Sequence, residues 1–186
     1  MLTTTDAIVL SLQPLSDKAH VLHAYTRTGG RVNYKVYGLG KKNSAEKYSP
    51  LSLVQLTTDE RSIRTSQLRF VPKTTGSDPY KRTIALFLAE VLYHVLRHPM
   101  PDEPMYDFLE QAVQALDQTD APQNFHLQFL ISFAGKLGFA MNEEMNEPHS
   151  RGERQEALQK LCAYFAEHVE TWQNPRSLEV LMEVFD

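Results

Sequence analysis

Arg31, Asn33, Lys35 and Tyr37 alternate with Val32, Tyr34 and Val36. In a β-strand successive side chains point to opposite faces, so the first set lies on one face and the second on the other. Cations spaced along a pleated strand can follow phosphates, and an aromatic ring beside them offers a platform on which a base can stack. The neighbouring sequence adds charge: Arg27 ends the preceding run, Lys41, Lys42 and Lys47 follow Gly38 and Gly40, and Arg61, Arg64 and Arg69 come from the last hairpin. Nine cations therefore fall within the 43 residues from Arg27 to Arg69. These cations and Tyr37 are the candidate nucleic-acid contacts. Lys18, His20, His23 and Tyr25 are weaker candidates, because the parity of their run does not say which face is buried. The alternative is a half-buried strand whose outer face is merely solvated.

Other constellations carry less. Gly38-Leu39-Gly40-Lys41-Lys42 looks like a phosphate loop, but a P-loop needs glycine where Lys35 stands and Ser or Thr at position 42. Glu90, His94 and His98 recur every four residues on one helix face, a spacing that suits a divalent metal, with Asp102 or Glu103 nearby. Histidines close to a helix C-terminus also interact well with the helix dipole, so the spacing has a structural reading too. Cys162 lies between Leu158, Leu161 and Phe165 at helical spacing and reads as core filling. Glu143, Glu144 and Glu147 read as a solvated acidic loop. No enzyme, metal or cofactor motif stands out.

The elements that would position the cations are short strands. Ile8, Leu10 and Leu12 alternate with Ala7, Val9 and Ser11, and runs at His20 to Arg27, Arg31 to Tyr37, Leu51 to Thr58 and Ser66 to Val71 complete five candidates. Gly29-Gly30 marks a tight hairpin, since glycine accepts the positive φ such a turn requires. Five short strands in about 75 residues predict a small barrel rather than alternating βα units. After Gly76 the period changes. Asp78 and Pro79 form a helix start, followed by Tyr80, Ile84, Phe87, Leu88, Val91 and Val95 at helical spacing. Pro99, Pro101 and Pro104 end that helix. Further helices are predicted over Met105 to Leu116, Phe125 to Leu137 and Glu153 to Trp172, with a last one from Asn174-Pro175 presenting Leu178, Leu181, Met182 and Phe185. The expected class is α+β: a five-stranded barrel over residues 1–76, basic and nucleic-acid-binding, then an acidic all-α domain over 77–186 suited to protein interaction.

Charge divides at the same place. Residues 1–82 hold 7 Lys and 6 Arg against 4 Asp and 2 Glu, net +7, whereas 83–186 hold 2 Lys and 4 Arg against 5 Asp and 12 Glu, net −11. A polyanion is attracted by the first part and repelled by the second. The whole chain, 186 residues with net charge −4 and 42% hydrophobic residues, has an ordinary globular composition. It contains no apolar run long enough to span a membrane and no secretory signal at its start. With the single cysteine, this predicts a cytoplasmic protein.

Several motifs, taken in order, resemble the RecO family of recombination-repair proteins. They are Ala7-Ile8-Val9-Leu10, Leu22-His23-Ala24-Tyr25-Thr26-Arg27, Gly30-Arg31-Val32, Gly38-Leu39-Gly40-Lys41-Lys42 and Pro50-Leu51. In the second half they are Tyr80, Ala85 to Leu92, Phe125 to Leu130 with Leu137-Gly138-Phe139, and Arg176 to Leu181. The resemblance covers nearly the whole chain. It implies an OB-fold barrel joined to a helical domain, no enzymatic turnover, and binding of single- and double-stranded DNA. It further implies annealing of complementary strands and cooperation with a RecR-like protein and single-strand-binding protein in loading recombinase. OB barrels bind single strands on a curved strand face, which singles out Arg27, Arg31, Lys35, Tyr37, Lys41 and Lys42. Two departures stand out. Many family members carry a longer insertion after the Leu137-Gly138-Phe139 motif, in some with a four-cysteine zinc site, whereas this chain has no cysteine there and is expected to bind no zinc. The helical domain, which in the family receives the acidic tail of single-strand-binding protein, is itself acidic, with only Arg97, Lys136, Arg151, Arg154, Lys160 and Arg176 to attract such a tail. Two other readings remain open at this stage: a shortened scaffold with little DNA affinity, and an OB-fold RNA binder using the same cations.

Overall fold

The computed structural model describes residues 1–39, 46–141 and 147–184. By internal contacts the chain forms two compact units, one of Met1–Pro72 with Leu96–Val113 and the other of Lys73–Val95 with Gln114–Asp186.

The first unit is built on five strands, β1 (Leu2–Ser16), β2 (Ala19–Thr26), β3 (Gly30–Tyr37), β4 (Leu53–Asp59) and β5 (Ser62–Leu68). They close into a barrel in the order β1-β2-β3-β5-β4, the five-stranded barrel that the strand pattern predicts and the resemblance implies as an OB fold. Strand β1 is longer than its apolar alternation indicated. Its threonine-rich start pairs with β4, from Leu2 opposite Asp59 to Ile8 opposite Leu53, while Ala7 to Ser16 pair with β2. The interior holds Ala7, Val9, Leu22, Ala24, Tyr34, Val36, Val54 and Leu56, with Val32 packed against them. The predicted alternation in β3 is therefore realised, with Val32, Tyr34 and Val36 inside. Each fully buried Val or Leu side chain of this set contributes roughly 1.5–3 kcal/mol. Tyr48 also joins the core, and its hydroxyl meets Ser66 Oγ at 2.6 Å. The last strand runs over Ser62–Leu68 rather than Ser66 to Val71, because Glu60 turns the chain with φ 54° and lets β5 start early.

In the same unit the segment from Leu96 to Met100 lies along β3. The Arg31 amide donates to the His98 carbonyl at 3.1 Å. A Cβ on Gly30 would stand 2.2 Å from the Met100 carbonyl oxygen, and Gly30 has φ +61°, so both space and conformation require glycine there.

In the second unit, α1 (Pro79–Val95) starts on Asp78, whose carboxylate accepts from the amides of Tyr80 at 2.8 Å and Lys81 at 3.2 Å. Asp117, near the end of α2 (Glu103–Gln118), gathers the amides of Lys73, Thr74 and Thr75 at 2.8–2.9 Å. Burial alone would raise the pKa of Asp117, but these three amide bonds outweigh it and hold the carboxyl well below the usual range. The buried Lys81 ammonium completes the corner on the Asp117 carbonyl at 2.8 Å. Helices α3 (Phe125–Lys136), α4 (Arg151–His168) and α5 (Leu178–Val184) follow, with Phe133 of α3 stacked on Phe165 of α4. A capping box of Ser150 and Glu153 opens α4. That helix stops at His168, short of the predicted Trp172, because Val169 is extended. No helix of the described residues is long and apolar enough to cross a membrane.

Candidate nucleic-acid interface

Register places the predicted β3 set on the outside of the barrel. Tyr25 is opposite Arg31, His23 opposite Asn33, Val21 opposite Lys35 and Ala19 opposite Tyr37. Burial then divides this face into two rows. The row running Leu53, Ile8, Tyr25, Arg31 is covered: all four residues are buried, and Arg31 is only 9% exposed. The row running Val21, Lys35, Ser62 is more open: Lys35 is exposed, and Val21 and Ser62 are half-buried. The two lie four residues apart along β2, about 13 Å at strand rise.

In the covered row the Arg31 guanidinium faces inward to the unit. Nη1 reaches the Leu96 carbonyl at 3.5 Å and Nη2 lies 3.3 Å from His23 Nδ1. His23 Nδ1 also meets Asn33 Oδ1 at 2.7 Å. Burial lowers the His23 pKa, the Asn33 contact works the other way, and the Arg31 charge lowers it further, so the net direction is down. Burial and the Asp102 carboxylate push the Tyr25 phenol up to about 12.

Arg27 and Arg69 flank this row and are also engaged. Arg27 pairs with Asp107 at 2.7 Å and Glu110 at 3.3 Å and lies 4.4 Å from the centroid of the Tyr106 ring. Arg69 pairs with Asp6 at 3.3 Å and with Glu110, and donates to the Tyr106 hydroxyl at 3.3 Å. Sequence reading missed Asp6, Tyr106, Asp107 and Glu110. The one available signal was the acidic pair Asp107 and Glu110 three residues apart in a predicted helix, which by itself points to no partner.

The open row has a different character. Lys35 is exposed and Tyr37 is 60% exposed. The Lys35 amide donates to the Arg61 carbonyl at 2.7 Å, and Lys35 is the residue through which β3 pairs with Ser62 of β5. This closure sets Arg61 and Ser62 beside Lys35, and Arg61 and Arg64 are both exposed. Arg64 is held by Asp59 at 3.1 Å, whereas Lys35 and Arg61 form no ion pair among the described residues. Lys18, in the β1–β2 turn, precedes Ala19, the partner of Tyr37. Lys47 is half-buried, with Nζ 3.5 Å from the Ser66 carbonyl and 5.3 Å from the Tyr48 ring centroid. Lys41, Lys42, Glu143 and Glu144 lie outside the described residues. Chemically, the open row offers exposed cations on the same barrel surface as an exposed aromatic ring.

The remaining candidates have structural surroundings. The Glu90 carboxylate accepts from the Ser177 amide at 3.0 Å and its hydroxyl at 2.7 Å. Among the described residues no group of three or more His, Cys, Asp or Glu is arranged to hold a metal ion. Cys162 is buried, which pushes its thiol up to about 11 and leaves no thiolate nucleophile at neutral pH. The helical unit has a small recess lined by His126, Arg151, Arg154, Gln155, Leu158, Leu181 and Met182. Burial, with the Arg154 charge, pushes the His126 imidazole down to about 3 and keeps it neutral.

Comparison with known proteins gives a consistent result. Residues 76–147 match the family model described as "Recombination protein O C terminal". The chain is 35% identical over 154 residues to the "DNA repair protein RecO" of Phocaeicola vulgatus, covering 77% of this chain and 64% of that one. It is 33% identical over 150 residues to the protein of the same name from Porphyromonas gingivalis, covering 74% and 61%. A third, from Christiangramia forsetii, is 26% identical over 238 aligned positions that span the whole of both chains. The matched region thus spans under two thirds of the length of the first two relatives.

Proposed function

The chain belongs to the RecO family, and on that premise we propose that it is a non-enzymatic mediator of DNA repair and recombination. In this reading it binds single- and double-stranded DNA, promotes annealing of complementary strands and helps a RecR-like protein to load recombinase. Residues 1–76 carry the DNA contacts and 77–186 the protein contacts.

The observation that supports this most is the open row, where the exposed Lys35, two residues before the exposed Tyr37, pairs with Ser62 and its amide donates to the carbonyl of the exposed Arg61. Lys35 and Arg61 neutralise phosphates, Tyr37 stacks on a base, and Lys18, Lys41, Lys42 and Lys47 extend the track. Neutralising phosphates reduces repulsion between two strands, while sequence-tolerant contacts leave base edges free to pair, which is what annealing needs. Arg27, Arg31 and Arg69 serve the barrel rather than the ligand in this account. In the helical part, the recess with Arg151 and Arg154 beside Leu158, Leu181 and Met182 suits the acidic tail of single-strand-binding protein, since it pairs cations with apolar surface.

The test is fluorescence anisotropy of a labelled oligo(dT) at several salt concentrations. A single strand contributes a slope of about −0.7 in log K against log salt per phosphate neutralised, so three or four contacts predict a slope near −2 to −3. Absence of binding at low salt contradicts the DNA reading and leaves a scaffold that kept the fold. Tighter binding to an RNA of the same sequence favours an RNA ligand.

A further inference from the structure

Arg27 and Arg69 sit where the sequence led one to expect phosphate contacts, yet each already has anionic partners. Arg27 Nη2 lies 2.7 Å from Asp107 Oδ1 and 3.3 Å from Glu110 Oε2. Arg69 Nε lies 3.3 Å from Asp6 Oδ1, and its Nη1 bonds Glu110 Oε1. Two cations thus meet three carboxylates. The guanidinium donor fork fits carboxylate and phosphate in the same way, so these carboxylates occupy the positions a phosphate would take. The arginines are still in reach of solvent, with side chains 28% and 30% exposed, and Asp107 is 50% exposed. Partly exposed ion pairs of this kind typically add little to stability, so their larger effect is on charged ligands.

We propose that Asp107 and Glu110, with Asp6, act as an acidic guard that fills Arg27 and Arg69 in place of phosphate and confines a bound nucleic acid to the open row at Lys35 and Tyr37. This rests on the nucleic-acid reading above. The guard shortens the footprint and keeps binding weak enough for a strand to leave. It is a device of negative charge placed against the chain's own cations, and its removal strengthens binding.

The experiment neutralises the guard with Asp107→Asn and Glu110→Gln together, which preserve shape. Oligo(dT) affinity at low salt is expected to rise about five- to tenfold, with a salt slope steeper by about 1.4, two phosphates at 0.7 each. Adding Arg27→Ala and Arg69→Ala to that variant returns both values to those of the native chain. Unchanged affinity and slope in a folded double variant overturns the guard. If the double variant does not fold, Arg27→Ala alone decides: native-like affinity is expected, and a loss beyond about threefold means that Arg27 already touches the ligand and overturns the proposal. Retention on immobilised heparin separates this question from the identity of the ligand. A native chain that ignores oligo(dT) contradicts the DNA reading, while a later heparin elution of the neutralised variant still supports the guard and an identical elution still overturns it.

Discussion

The covered and open rows of the barrel are made of similar residue types and lie about 13 Å apart along β2, but they do opposite things with their charge. In the covered row the Arg31 guanidinium is folded onto the Leu96 carbonyl and His23, and Arg27 and Arg69 beside it are met by Asp6, Asp107 and Glu110. In the open row Lys35 and Arg61 have no carboxylate among the described residues, and Tyr37 presents its ring to solvent. A count of cations therefore overstates the charge that a ligand can reach. What decides availability is whether another part of the chain supplies an anion or a carbonyl first.

The contrast can be broken most severely at Gly30. Gly30→Ala places a methyl group against the Met100 carbonyl and forces an L-residue to φ +61°, and the expected cost is about 3 kcal/mol or more, read as a lowered melting temperature. Arg31→Met comes next. It strips the Nη1 hydrogen bond from the buried Leu96 carbonyl and is expected to cost about 2 kcal/mol of stability by denaturant melts, while oligonucleotide affinity per folded molecule stays within twofold. A large affinity loss without a stability loss would move Arg31 to the ligand side.

The open row is expected to show the reverse. Lys35→Glu with Arg61→Glu should lower oligonucleotide affinity by about tenfold or more, roughly 1.4 kcal/mol, and flatten the salt dependence with an unchanged melt. Tyr37→Ala should cost about 1 kcal/mol of binding, the lower end for one stacked base, and Tyr37→Phe should restore it. The smallest effect is at His23. Its folded pKa is lowered, so the unfolded chain binds the proton more readily; the associated stability is fully present above about pH 6.5 and is lost as pH falls toward the folded value. An NMR titration of the His23 ring should give a midpoint below the ordinary imidazole value.

Much of the barrel was legible because its signals are local. Alternation in β3 gave both faces, Gly29-Gly30 gave the hairpin, and Asp78-Pro79 gave the start of α1. The start of β1 was not legible, since Leu2 to Thr5 pair with β4 through a threonine ladder that has no apolar alternation. Nor was the covering of Arg31. The prolines at 99, 101 and 104 read only as helix terminators, and nothing local says that the backbone from Leu96 to Met100 lies on β3 from 60 and more residues before. The carboxylates that meet Arg27 come from about 80 residues later in the chain. Alternation can say which face a side chain occupies, but the occupant of that face is a long-range fact.

The most direct test of the central claim, that the ligand lies on the open row, is an amide NMR titration of the native chain with oligo(dT). The account predicts progressive shifts at Lys18, Lys35, Tyr37, Arg61 and Arg64, with Arg27, Arg31 and Arg69 left in place. Shifts concentrated at Arg27 and Arg69 and absent from Lys35 and Arg61 would contradict it.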